Sequence, residues 1–384
     1  MPQAPRHPAP QIHVCLVSDQ AAANLLPALD PALKPREVVL MVSGKMRARA
    51  DALESVLREA GVGVSRVDLA DEHDYARLET ALLEVASERD GQSIALNVTG
   101  GTKLMALAAQ AVAVAANWAV FYVDVDTDEV IWLVPDRHRQ PLQQQLRLRH
   151  YLGGYGFSLD EGIERPRREQ RHDDLLRTLI PQVGSLEQPL AQLNWLAQQA
   201  EDRRSLHATL TEQQADSRAL DALLREFEDA GALAKEGAKL IFASEAERDF
   251  VKGGWLERYV FQTVDGLSRE LELRDKAANL VVRDPGGVKN ELDVAFLARN
   301  RLFVIECKTA RMDQPEAPKA NDTLFKLAEI CRRVGGLGTR GMLVSYRGLR
   351  EEEKRLAAAL RIELATGGEL ARLKEKIRGW VGVQ

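Results

Sequence analysis

Glu291-Leu-Asp-Val-Ala-Phe-Leu-Ala-Arg-Asn-Arg-Leu-Phe-Val-Ile-Glu-Cys-Lys-Thr309 reads as two apolar, strand-forming runs joined by a short polar break, the pattern of a β-hairpin. Side chains alternate along a strand, so Glu291 and Asp293 share a face of the first run and Glu306 and Lys308 share a face of the second. With Arg299-Asn300 as the two-residue turn, Asp293 falls opposite Glu306 and Glu291 opposite Lys308. Three carboxylates and one ammonium then occupy a patch a few residues wide. Opposed carboxylates repel unless a cation lies between them, and Mg²⁺ or Mn²⁺ takes such hard oxygen ligands. A metal at Asp293 and Glu306 would activate water and polarise a phosphate, with Lys308 beside it to neutralise developing charge. The competing structural reading is a cross-strand salt bridge on a solvated face. Charges that interrupt a hydrophobic run, in this order, favour the chemical reading.

Outward from the hairpin, a helix containing Trp255-Leu-Glu-Arg-Tyr259 and a strand-like stretch, Leu271 to Val282, precede it, with a Gly286-Gly287 turn between. After Pro315 and Pro318 come a helix over Thr323 to Val334, a strand from Gly341 to Ser345 and a last helical region. Asp293, Glu306 and Lys308 in this setting resemble the core of the PD-(D/E)xK, restriction-endonuclease-like nucleases. Leu292 stands where the Pro of that motif would be, a position that is not a ligand. The resemblance implies catalytic roles for Asp293, Glu306 and Lys308, metal ligation by Asp293 and Glu306, and a further acidic contribution from Glu257.

The first 135 residues alternate short apolar runs with helix-period segments: strands at Ile12–Val17, Glu37–Ser43, Val62–Leu69, Ser93–Val98 and Trp118–Asp124, helices between them. Such alternation implies βαβ crossovers and a Rossmann-like parallel sheet, with Val130 to Val134 returning as an antiparallel hairpin. Leu96-Asn-Val-Thr-Gly-Gly-Thr-Lys103 ends one strand and opens a helix. Its glycines allow close approach to an anion, and the helix start offers free N–H groups. Neither a Walker loop nor a G-x-G-x-x-G fingerprint is present, which disfavours nucleotide hydrolysis and NAD binding. Val17-Ser-Asp-Gln20 and Met41-Val-Ser-Gly-Lys45 should emerge at the same carboxyl edge, where open α/β sheets bind ligands.

These loops resemble those of the CRISPR-associated Rossmann-fold (CARF) sensor domain. That implies an activator site built from Ser18, Asp19, Gln20, Ser43, Gly44, Lys45, Thr99, Gly100, Gly101, Thr102 and Lys103. A CARF-like front with a PD-(D/E)xK-like back resembles the ancillary nucleases of type III CRISPR defence. The pairing implies a homodimer activated by cyclic tetra-adenylate, a cyclic oligoadenylate, that cleaves or nicks DNA and in some members RNA.

Between the two, Pro135 to Arg171 loses periodicity and ends in the basic run Arg165-Pro-Arg-Arg168, the expected linker. Ser185–Ala200 and Ser217–Ala230 as helices, followed by a hairpin over Gly231–Ala243, resemble a winged-helix module. Asp221, Glu226, Glu228 and Asp229 on its second helix would repel phosphate, so a joining role is expected. The expected division is an α/β sensor at 11–150, a linker and winged-helix-like connector at 151–247, and an α/β nuclease at 248–384.

Composition bounds these readings. The chain has 384 residues, 45% hydrophobic and 28% charged, with a net charge of −5, which suits two or three domains and leaves no global basic field for nucleic acid. Any nucleic-acid contact must be local. Cys15, Cys307 and Cys331 are few and scattered, against a disulfide framework or a structural zinc site and for a reducing, cytoplasmic setting. Met1 to Pro10 has no apolar core and reads as a frayed tail rather than a signal peptide. Leu104 to Val125 is Ala-rich and broken by Gln110 and Asn117, so no membrane partner is expected. Two further functions fit the same parts: a non-enzymatic, ligand-responsive DNA-binding regulator, and a ring nuclease that degrades its own cyclic oligoadenylate.

Overall fold

The computed structural model describes residues 10–143, 146–160, 169–310 and 319–382. The expected tail at the amino terminus, the basic run at 165–168 and Pro315 and Pro318 lie outside the described residues, Pro10 apart.

The first sheet has seven strands: β1 (Ile12–Leu16), β2 (Glu37–Ser43), β3 (Gly63–Leu69), β4 (Ile94–Asn97), β5 (Ala119–Asp124), β6 (Glu129–Val134) and β7 (His138–Pro141). Their order is β3-β2-β1-β4-β5-β6-β7. The first five are parallel and the last two antiparallel. Helices α1 (Ala21–Leu29) and α2 (Arg47–Glu59) cover one face, and α3 (Tyr75–Glu88) and α4 (Lys103–Ala115) the other. Strand order reverses between β1 and β4, so the loops after those strands part and leave a crevice at the carboxyl edge.

The stretch expected as a linker is more ordered than its composition suggests. It holds β7, α5 (Leu148–Gly154), β8 (Ser158–Leu159) and the start of α6 (Gln170–Leu179). Its period is hard to read because α5 spans only two turns. Leu148, Tyr151 and Leu152 of α5 enter a hydrophobic core shared by the first sheet and the six-stranded sheet of the last part.

The connector contains α7 (Glu187–Asp202), β9 (His207–Thr209), α8 (Glu212–Ala215), α9 (Arg218–Asp229), β10 (Leu233–Glu236) and β11 (Lys239–Phe242). Its small sheet runs β10-β11-β9. Asp221 on α9 is paired with Arg225 and Lys235.

The last part has α10 (Glu245–Asp249), a π-helical turn at Phe250–Gly254, α11 (Trp255–Gly266), β12 (Asp275–Arg283), β13 (Lys289–Ala298), β14 (Arg301–Lys308), α12 (Lys319–Gly335), β15 (Arg340–Ser345), α13 (Glu351–Ala359), β16 (Ile362–Thr366) and α14 (Leu373–Gly382). Its six-stranded sheet runs β16-β15-β14-β13-β12-β8. Arg299 and Asn300 both have positive φ, 48° and 55°, the geometry of a type I′ turn. The register that follows, Ala298 with Arg301 through Val294 with Ile305, is the one this turn requires. β16, short and flanked by charge, is absent from the periodicity. No helix among the described residues is long and apolar enough to cross a membrane, and the three cysteines are free and buried.

Candidate active site and ligand edge

Alternation fails at one position in the β13–β14 hairpin. Leu292, Ala295 and Leu297 join the core shared with the first sheet, whereas Val294, Phe296 and Ala298 join the core that contains α11. The reversal falls at Asp293. Across the ladder, between the pairs Ala278–Val294 and Leu280–Leu292, sits Asn279 with a φ of 49°. This local kink frees Asp293 from a strict facing, so its Oδ2 reaches over to accept the Cys307 N–H at 2.7 Å.

The hairpin ladder ends at the Val294–Ile305 pair, so the expected facings of Asp293 with Glu306 and of Glu291 with Lys308 are no part of it; the bond to the Cys307 N–H is what holds Asp293 at the end of β14. Lys308 Nζ lies 2.5 Å from Glu306 Oε1. Burial, then the charge of Glu306, pushes the Asp293 carboxyl up to about 8, against the opposing pull of Lys308 and the Cys307 N–H. Burial works against the Lys308 ammonium, but Glu306 and Asp293 outweigh it and raise its pKa. Glu257, in the first turn of α11, is raised by burial and by Glu291 and Glu306. These mutual perturbations place Asp293, Glu306, Lys308, Glu257 and Glu291 within one electrostatic cluster.

Glu257, Glu291 and Lys308 line a cleft of about 1400 Å³ whose far wall is α7. The turn before α11 is fitted closely to the end of β14. Thr309 Oγ1 donates to the Lys252 carbonyl at 3.2 Å, and a Cβ on Gly253 would stand 2.7 Å from that hydroxyl. A side chain at 253 would have to push the Thr309 hydroxyl aside, so the glycine lets the turn before α11 pack closely on the end of β14.

The donor set suits a divalent ion of the Mg²⁺ or Mn²⁺ kind. Asp293 and Glu306 are hard carboxylates close enough to perturb each other, and burial together with the Glu306 charge opposes ionisation of Asp293, a cost that a bound cation would offset. The tightest trio of ligand-bearing side chains among the described residues lies elsewhere: Glu169, His172 and Glu247 have ligand atoms within 4.8 Å of one another. Arg171 already neutralises that trio through Glu169 and Glu247.

At the carboxyl edge of the first sheet, Gly100 is forced by packing, since a Cβ there would stand 2.1 Å from the Leu16 carbonyl oxygen. Gly101 has a φ of 74°. The turn is thereby pressed against the end of β1 and beside Ser18. Thr99 donates its hydroxyl to Asn97 Oδ1 at 2.6 Å and accepts the Val123 N–H at 2.7 Å, so it ties β4 to β5. Thr102 caps α4, accepting from the Met105 N–H. Both hydroxyls therefore carry structural duties. Lys103 is exposed and forms no ion pair among the described residues. Ser43 is buried, whereas Gly44, Asp19 and Gln20 are exposed.

Lys45 pairs with Glu72 at 3.0 Å, and the Ser43 hydroxyl with Lys45 holds Glu72 below the usual carboxylate range. Glu72 went unnoticed in the sequence because it lies in the turn before α3, far from Lys45 in the chain. The β2–β3 register, which pairs Ser43 with Leu69, is what brings it close. Asn279 and the α7 wall were missed too; nothing local marks them.

The family described as the Card1 CARF domain matches residues 12–151, and the family described as the Card1-like endonuclease domain matches residues 244–383. Among solved structures, protein VC1899 from Vibrio cholerae is 28% identical, covering 97% of this chain and 98% of its own, with a TM-score of 0.88. Can2 from Sulfobacillus thermosulfidooxidans, solved in complex with cyclic tetra-adenylate, is 25% identical over 97% of this chain and 98% of its own, with a TM-score of 0.79. A type III CRISPR defence DNA nuclease activated by cyclic oligoadenylate shares the fold at 22% identity and a TM-score of 0.52, over 90% of this chain and 46% of that one. No curated protein matches the sequence. With a CARF domain on the parallel sheet and an endonuclease domain on the sheet that carries Asp293, Glu306 and Lys308, the chain belongs to the Card1-like CARF endonucleases.

Proposed function

We propose that this protein is a metal-dependent endonuclease of type III CRISPR defence, switched on by cyclic tetra-adenylate at its CARF edge, that cleaves or nicks DNA and also accepts RNA. The single observation that carries the reading is the coupled set of Asp293, Glu306, Lys308 and Glu257, of which Lys308 and Glu257 line one cleft. The division of labour is a sensor at 11–150, a connector at 151–247 and a nuclease at 248–384, in a reducing, cytoplasmic setting.

Asp293 and Glu306 would hold Mg²⁺ or Mn²⁺, which when bound polarises the scissile phosphate and acidifies a water. Lys308, kept protonated by its two carboxylate neighbours, donates to a phosphoryl oxygen as negative charge builds there. Glu257 approaches from the helix side and completes the acidic set. Glu291 lines the same cleft and adds its negative charge beside Glu257.

Cyclic tetra-adenylate is favoured as the activator because Can2, alike over the whole chain, was solved with it. Lys103, Lys45 and the loop N–H groups supply the anion contacts, with Ser18, Ser43 and the Thr99–Thr102 turn shaping the edge. A ring with twofold symmetry suits a twofold dimer. Beside that edge, α3 and α4 leave Leu83, Leu107 and Val114 more than half exposed, an apolar face that a second copy of the chain would cover.

The test is incubation of purified protein with plasmid, single-stranded DNA and RNA, with Mn²⁺ and with or without cyclic tetra-adenylate, beside Glu306→Ala. Cutting that needs both additions and vanishes in the variant supports the reading. All three substrates left intact would sink it.

A further inference from the structure

The wall of the cleft that faces the carboxylates belongs to the connector. Helix α7 is fastened at two points, one just past the end of β14 and one in the turn before α11. Asn194 Nδ2 donates to the carbonyl of Thr309, the residue after Lys308, at 3.3 Å. Lys252, in the turn before α11, pairs with Glu201 at 2.7 Å. These bonds fix the distance between α7 and the end of β14.

The next residue along α7 is Trp195. It is 47% exposed, and it lines the same cleft as Glu257 and Lys308. Its neighbours Leu193, Leu196 and Ala197 are fully buried, so the helix is anchored by one face and presents the indole from the other. Gln188, Gln192 and Gln198 line the cleft at helical spacing around it. The opposite wall carries several acids, whereas this stripe is uncharged and would not repel a phosphate chain. Arg347, also in the lining, stacks on Tyr346 and forms no ion pair with a carboxylate among the described residues.

We propose that Trp195 is a base-stacking residue, on which an unpaired nucleobase of the substrate strand lies flat so that the adjoining phosphate is presented to Asp293, Glu306 and Lys308. The proposal rests on the reading of this cleft as the place of strand cleavage. The occupant follows from the site: a strand that enters this cleft to reach Lys308 and Glu257 runs beside α7, which lines it, and its bases are flat apolar surfaces that can cover an exposed indole. Base–aromatic stacking contributes about 1–3 kcal/mol per base and accepts every base, because each has a π-face. The connector is then part of the substrate site rather than a spacer, and it acts through α7 rather than through the acidic α9.

The test compares wild type, Trp195→Ala and Trp195→Phe with a short oligothymidylate and cyclic tetra-adenylate present. Thymidylate is chosen because an adenylate strand would compete at the sensor edge. In metal-free buffer the oligonucleotide should quench a part of the tryptophan fluorescence that is missing from Trp195→Phe. Its affinity should fall roughly ten-fold or more in Trp195→Ala, the size of one lost stack. With Mn²⁺, Trp195→Ala should raise KM by a similar factor with kcat little changed, and Trp195→Phe should recover most of the loss. Equal binding and cleavage by wild type and Trp195→Ala would overturn the stacking role while leaving the nuclease intact. Quenching through Trp195 without cleavage would support the stacking role and remove the hydrolytic reading instead.

Discussion

Asp293 holds the least comfortable charge in the nuclease. Its carboxyl is raised to about 8 by burial and by Glu306, from an ordinary value near 4. A folded-state pKa above the unfolded one favours the protonated form, so the stability it contributes is complete below about pH 4 and is lost as pH climbs through about 8. Metal-free protein should therefore unfold at lower denaturant as pH rises over that window, and Asp293→Asn should flatten the profile. Metal binding has the opposite dependence, because the ligand must be deprotonated. Mn²⁺ affinity measured by calorimetry should rise with pH up to about 8, with proton release below it. Lys308 stays an ammonium across the neutral range because its pKa is raised. Lys308→Ala should then lower kcat by roughly 10²–10³-fold, the usual loss of a charge-stabilising donor, with metal affinity retained.

At the scale of elements, the loops differ sharply in what they tolerate. A Cβ at Gly100 meets the β1 backbone, whereas one at Gly44 meets nothing within 4 Å. Gly100→Ala should destabilise the protein by roughly 1–3 kcal/mol and displace the turn that carries Lys103. Gly44→Ala should stay within about 0.5 kcal/mol of wild type. Thermal unfolding compares the two. The same contrast explains what the sequence disclosed. Long periodic segments such as β2, α4 and the β13–β14 hairpin were legible, as was the hairpin register from Ala298–Arg301 to Val294–Ile305, because a two-residue turn leaves one solution. The kink at Asn279 and Asp293 was not, since strict alternation is the assumption it breaks. Trp195 looked like an ordinary helix residue, because only the tertiary bond from Asn194 to Thr309 brings it to the cleft.

At the scale of the molecule, sensor and nuclease share a core and are joined as well by a polar turn. The acidic turn between β5 and β6 holds the nuclease hairpin: Asp128 pairs with Arg274 at 2.8 Å and accepts from Asn300, and Asp126 pairs with Arg301 at 2.5 Å. Through β5, that turn connects to Val123, whose N–H is held by Thr99 at the ligand edge. Asp128→Ala should therefore weaken activation by cyclic tetra-adenylate while its binding persists. Coupling energies of about 1–3 kcal/mol are typical, so a five- to roughly hundred-fold loss of stimulation is the expected scale, read as the ratio of cleavage rates with and without activator.

Leu16's neighbour Cys15, Tyr151 of α5 and Leu302 beside the β13–β14 turn all belong to one continuous core. Two activities that look separable in the gene are thus one body in solvent. Calorimetry should record them melting in a single transition, and a nuclease trimmed of its sensor should emerge as an aggregating fragment, not as an enzyme released from control.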